Sequence, residues 1–208
     1  MFTEIIGLIQ KGGYLIIPLL ISSILSLAVI IEKSINLRTK KVIIPEVKSV
    51  VNNLAAEEDI ALALSVCDQH KGVLSNLMKM VLQHDGTTYL NMRDELSDNG
   101  RQEIRILEKG LIILETIAAV TPIIGLLGTV VGMIKVFNVI SIKGVGEASA
   151  LSGGISEALI TTAAGLTVGI PTLIFYNYFS KKTENLILDI EQISNNLLKK
   201  IISFRSEE

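Results

Sequence analysis

The feature that most constrains this chain is an apolar stretch, residues 111–180, that reads as two membrane-spanning helices joined by a short loop. A segment that merely crosses a bilayer needs about 20 apolar residues and nothing more. Here Thr129, Glu157, Thr161 and Thr162 interrupt the stretch, accompanied by spaced glycines. Polar side chains at such depth belong to close helix packing around a wet or shared interior, because lipid offers them no partner. The function is to be sought in this hairpin.

Three uncharged runs, Tyr14–Ile31, Thr116–Ile134 and Ala158–Ser180, hold 18, 19 and 23 residues. Each is about as long as the hydrocarbon core requires. A chain that is 49% apolar with mean hydropathy +0.52 is too oily for a typical soluble domain. Its 19% of charged residues is too many for a bare membrane bundle, so the chain divides between both environments. The first run is read as a retained span and not as a signal peptide. Glu4 precedes it, a basic flank is lacking, and it ends in Ile30-Ile31-Glu32-Lys33 rather than in small residues.

Lys and Arg concentrate on the cytoplasmic side of a membrane protein. Eleven fall between Lys33 and Lys109 and five after Ser180, whereas the N-terminus and 135–157 hold only Lys11, Lys135 and Lys143. The expected layout is therefore an outer interfacial helix at 1–13, a first span at 14–32 and a cytoplasmic helical domain at 33–110. A second span at 111–138, an outer loop at 139–152, a third span at 153–180 and a cytoplasmic C-terminal helix at 181–208 complete it. The net charge of −2 says nothing of partners, and no feature suggests nucleic-acid binding.

Local patterns refine this layout. Phe2, Ile5, Ile6 and Ile9 share one helical face, which suits a helix lying in the outer interface. Pro45 marks a break after the basic stretch that begins at Lys33, and helical patterns follow at 57–69 and 73–84, separated by Gly72. From Thr87, read as an N-cap, one helix of about 50 residues and roughly 75 Å is expected to run into the second span. In the tail Leu186, Ile190, Ile193, Leu197, Ile201 and Phe204 keep a/d spacing, so the third span is also expected to continue as a helix. That seam suits packing against 33–110 and self-association about an axis equally well. Cys67, the lone cysteine, and His70 and His84 lack the spacing of a metal or redox site and are read as structural or solvated. No cofactor and no metal are expected.

With span midpoints near residues 125 and 168, Thr129 lies about 6 Å, Thr162 about 9 Å and Glu157 about 16 Å toward the outer side. A hydroxyl in a membrane helix ordinarily bonds a carbonyl one turn earlier. Two at one depth beside glycine pairs point further, since Gly128 and Gly132, like Gly165 and Gly169, are spaced for close backbone approach. Ala158, Thr162, Gly165 and Gly169 form one small-residue face for the hairpin mate or for a partner's helix. Glu157 suits two places: the interface near a helix N-terminus, where negative charge is favoured, or a pore or partner surface where it attracts cations. Thr161 is one turn from it, while Thr162 is rotated by about 140°, so Glu157 and Thr162 serve different faces. Glu115 and Lys135 bracket the second span and read as boundary residues. No Asp lies in any span; a proton relay here takes its mid-depth carboxylate from another chain.

The pattern IAAVTPIIGLLGTVVGMI followed by GISEALITTAAGLTVGIPTLIFYN resembles the ExbB/TolQ branch of the MotA/TolQ/ExbB proton-channel superfamily. The likeness rests on Pro122, Gly125–Gly132 with Thr129, Glu157-Ala158-Leu159, Thr162, Gly165, Pro171 and Tyr176-Asn177. It is close over residues 111–180 and looser over the three-span layout.

The resemblance implies an all-α, ring-forming homo-oligomer, a pentamer, in the bacterial inner membrane, with the N-terminus periplasmic and the C-terminus cytoplasmic. It implies a single-span, Asp-bearing partner of the ExbD/TolR type inside the ring, and a TonB/TolA-like protein beyond. Thr129 and Thr162 then line the proton path near that Asp, and Glu157 faces the lumen, with Thr161, one turn from Glu157, counted as a further candidate for the path. Pro122, Gly125 and Pro171 join the packing residues. Lys135 and Thr161 match no position of the shared core. The expected function is a non-enzymatic proton-channel subunit coupling proton motive force to work on the outer envelope, with TonB-dependent-type transport foremost. Tol-type envelope maintenance, gliding and defence motors share the same motifs. A passive membrane scaffold is the rival of another class, and a self-sufficient secondary transporter is disfavoured by the short chain and the lack of an inverted repeat.

Overall fold

The computed structural model describes residues 12–83, 89–144 and 148–206, and the secondary structure of these residues is all helical. In chain order the helices are α1 (Ile16–Asn36), α2 (Thr39–Val42), α3 (Pro45–Asn53), α4 (Asp59–Gln69), α5 (Val73–Gln83), α6 (Tyr89–Glu108), α7 (Leu111–Lys143) and α8 (Ala148–Ser206). The face formed by Phe2, Ile5, Ile6 and Ile9, the N-cap at Thr87, His84 and part of the outer loop lie outside the described residues. The chain forms two compact units, one from Met1–Ile31 and Gly110–Tyr178, the other from Glu32–Lys109 and Phe179–Glu208.

The first unit holds three helices long and apolar enough to cross a membrane. Their apolar windows are only 28%, 33% and 28% buried. Ile24 on α1, Leu126 and Ile134 on α7, and Leu159 and Ile170 on α8 are all more than half exposed. A water-soluble protein does not leave so large an apolar surface uncovered, so its surroundings are lipid or other membrane helices. Pro122 and Pro171 sit inside α7 and α8 without ending either helix, as membrane helices allow.

The second unit has a conventional core. Val47 of α3, Leu74 and Met78 of α5, and Leu197, Leu198 and Ile201 of α8 are fully buried. The tail seam contributes Leu186, Ile190, Ile193, Leu197 and Ile201 to this core, with Phe204 half-buried. The Lys200 ammonium donates to the Val51 and Leu54 carbonyls at 3.4 and 3.2 Å and so caps α3, whose last carbonyls have no helical partner. The seam therefore packs against the 33–110 segment of its own chain. Cys67 of α4 is buried. Burial pushes its thiol up, Asp68 adds in the same direction, and Lys79 opposes both. Among the described residues no three His, Cys, Asp or Glu side chains converge as a metal site.

One expectation is corrected. The helix from the 33–110 region does not run unbroken into the second span, because α6 ends at Glu108 and α7 starts at Leu111. Gly110 adopts φ +89 between them, a left-handed conformation open to glycine and costly for residues with a Cβ. The break leaves the Leu107 carbonyl at a helix end, where the buried Lys33 ammonium donates to it at 3.1 Å. α8, by contrast, is a single helix of 59 residues.

Candidate functional site

The small-residue face of the third span packs on its hairpin mate. α7 and α8 run antiparallel, and their seam is built where side chains are missing. A methyl group placed on Gly132 would lie 2.7 Å from Cβ of Ala158, and one on Gly125 would lie 3.2 Å from Cα of Thr162. On α8, a methyl on Gly165 would meet the Thr121 carbonyl at 2.6 Å, and one on Gly169 would meet Cγ of Pro122 at 2.8 Å. Gly128 abuts the Thr161 side chain, and Gly154 abuts Val136. The spacing of four read from the sequence is thus the pitch of one contact stripe, and Pro122 fills a notch opposite Gly169. Pro171 is exposed and takes no part in the stripe.

Hydroxyls line the same seam. Thr162 Oγ1 donates across the hairpin to the Gly125 carbonyl at 2.8 Å. Thr161 is buried, and its Oγ1 lies 2.9 Å from the Gly12 carbonyl and 2.8 Å from the Glu157 carbonyl. A hydroxyl carries one proton, so that donor is shared between two acceptors. Thr121 is fully buried and bonds back to the Ile117 carbonyl at 2.8 Å. Thr129 follows Gly128 and so lies near the level of Thr161, turned by about 100° out of the seam. It is half-buried and donates to the Leu126 carbonyl at 2.6 Å. Thr129 and Thr162 are thus near one level but engaged separately, one within its helix and one between helices.

Glu157 is not a lone acid. Its Oε1 lies 2.6 Å from the Lys135 ammonium, an ion pair between α8 and α7 near their connection. The same carboxylate packs against Gly13, whose φ of +69 and lack of a side chain make the approach possible. Thr161, one turn along, fastens Gly12 next to it. The structure therefore gathers Glu157, Thr161, Lys135 and Gly12-Gly13 at one end of the hairpin, with Thr162 next along the seam. Sequence reading did not pick out Lys135 or the glycine pair for this cluster. The usable signal was a basic residue ending one span and an acid beginning the next, which an antiparallel hairpin brings opposite each other.

Lone pairs on the Thr162 and Thr129 oxygens stay open to accept a hydrogen bond while their protons are donated. Such an arrangement can orient water or a neighbouring acid through hydrogen bonds.

Known proteins resemble this chain in sequence. The profile of the MotA/TolQ/ExbB proton channel family matches residues 69–192. The ExbB-like biopolymer transport protein 3 of Synechocystis sp. is 32% identical over 178 residues, 82% of this chain and 82% of that protein. The biopolymer transport protein ExbB of Aquifex aeolicus is 37% identical over 108 residues, 50% of this chain and 73% of its own length. That of Neisseria gonorrhoeae is 33% identical over 109 residues, 52% of this chain and 50% of its own. With its three apolar helices, its glycine-tight hairpin and a match over more than half its length, this chain belongs to the MotA/TolQ/ExbB proton channel family.

Proposed function

We propose that this chain is the ring-forming subunit of a bacterial inner-membrane motor of the ExbB–ExbD type, conducting protons together with an Asp-bearing, single-span partner. The observation that carries the reading is the hairpin itself. It is packed too tightly for a pathway between α7 and α8, its hydroxyls and the Lys135–Glu157 ion pair supply no mid-depth acid, and its outside is apolar. A path built from such a part lies between copies of it and needs a carboxylate brought by another chain.

In this reading α7 and α8 line a pentameric lumen, and the connection between them is periplasmic. Residues 33–110 and the C-terminal part of α8 are cytoplasmic. Thr129 and Thr162 stand beside the partner's Asp and accept or orient the proton in transit. Glu157 lies at the outer mouth, and Thr161 holds the preceding strand of chain to it. The work is mechanical, with no covalent catalysis and no cofactor. Driving a TonB-like protein for nutrient uptake is the role put forward, with Tol-type envelope maintenance, gliding and defence as its alternatives.

The test is proton flux into liposomes that carry this chain with and without the Asp-bearing partner. Flux is expected only with both present, and Glu157→Ala, Thr129→Ala and Thr162→Ala are each expected to lower it while leaving membrane insertion intact. A passive scaffold gives no flux in either preparation, and undiminished flux in all three variants overturns the residue assignments.

A further inference from the structure

We propose that Lys135 sets the cation specificity of the outer mouth: it is the built-in counter-ion of Glu157 and withholds that carboxylate from metal ions. The inference rests on the proton-conducting reading above.

Between Leu111 and Ser180 only Lys135 and Lys143 are basic. Lys135 follows an uncharged run of nineteen residues, where an ammonium is costly unless it is paired or reaches water. Its Nζ meets Glu157 Oε1 at 2.6 Å, across 22 positions of sequence. The carboxylate is fixed from the other side as well, because it lies against Gly13, where no side chain would fit. Thr161 ties Gly12 to the turn that carries Glu157. The acid is 20% exposed, held in one place and already partnered.

Rings of bare carboxylates are how cation pores concentrate metal ions at their mouths. Hard carboxylate oxygens are also the natural ligands of such ions once water is stripped away. Lys135 opposes both effects, since it cancels one negative charge per subunit and occupies the oxygen a metal would take. A proton needs neither vacancy, because it passes by exchange along hydroxyls and water and does not have to be ligated. The pair thus obstructs metal ions selectively at the place where the path opens.

The experiment compares proton flux in sodium chloride with flux in choline chloride, using proteoliposomes of the full chain with its Asp-bearing partner. The wild type is expected to be indifferent to the exchange. In Lys135→Met, flux in sodium chloride is expected to fall to about a tenth of that in choline chloride, the effect of restoring one bare charge near the site. Lys135→Gln is expected to behave likewise and serves if the methionine variant does not fold, and Lys135→Arg is expected to restore indifference. A Lys135→Met or Lys135→Gln protein that conducts equally in both salts overturns the inference while leaving the proton-channel reading intact. A wild type without flux in either salt defeats that reading and the inference with it.

Discussion

In the unit formed by Glu32–Lys109 and Phe179–Glu208, side chains as large as Leu74, Leu197 and Ile201 are fully covered, whereas α7 and α8 meet where side chains are missing. The first kind of contact gains from the hydrophobic effect, because in water every covered leucine removes apolar surface from solvent. The second gains little from it, since lipid is as apolar as the side chains it would release. Backbone proximity, dispersion and an occasional interhelical hydrogen bond hold such helices together. The difference matches what surrounds each part, and it predicts opposite responses to a change in side-chain size.

Removing volume should hurt the leucine-rich unit most. Leu197→Ala is expected to lower stability by about 2–5 kcal/mol, as a fully buried leucine leaves a cavity its neighbours only partly fill. Chemical unfolding in detergent micelles, followed through a probe in that unit, measures the loss. Adding volume should hurt the hairpin. Gly165→Ala is expected to cost about 1–3 kcal/mol, because the new methyl would meet the backbone carbonyl of Thr121 at 2.6 Å and the Gly125 backbone behind it. In an open helix the same replacement gains about 0.5–1 kcal/mol. Gly100 of α6 provides that control within the chain, since nothing lies within 4 Å of its missing Cβ. Gly100→Ala is expected to raise stability by about 0.5–1 kcal/mol. If Gly165→Ala stabilises as Gly100→Ala does, the hairpin is looser than drawn and the contrast between the two units collapses.

Much of this contrast was legible in the sequence, for reasons that differ by residue. Spacings of four among Gly128, Gly132, Gly165 and Gly169 marked a stripe of close approach, because helix period alone puts such residues on one face. The seam from Leu186 to Ile201 was visible for the same reason, but its partner was not, since an amphipathic face does not name what covers it. The break at Gly110 was missed because the apolar spacing continues through it from Ile104 to Leu111. Only φ at Gly110 and the Lys33 cap on Leu107 reveal it. The Lys135–Glu157 pair depends on the register of two antiparallel helices, a long-range quantity that periodicity within either helix leaves open. That Lys135 bounds its span fixes its depth, and depth does not specify a partner.

The smallest expected change in stability is the one that best separates structure from transport. Thr162→Val removes the hydroxyl that donates from α8 to the Gly125 carbonyl, and its expected cost is about 0.5–1.5 kcal/mol. Thr129→Val removes a hydroxyl that bonds only within its own turn, to Leu126, so unfolding should shift by less than about 0.5 kcal/mol. If both threonines serve the proton path, flux with the Asp-bearing partner falls in both variants despite this difference, and Thr129→Val gives a stable protein that conducts poorly. If flux follows stability instead, dropping in Thr162→Val and holding in Thr129→Val, then the Thr162 hydroxyl is a fastening between helices. Thr129 would then be a back-bonded residue of the ordinary membrane kind. The two hydroxyls lie near one level of one hairpin, so depth affects them alike, and the comparison isolates where each one's hydrogen bond goes.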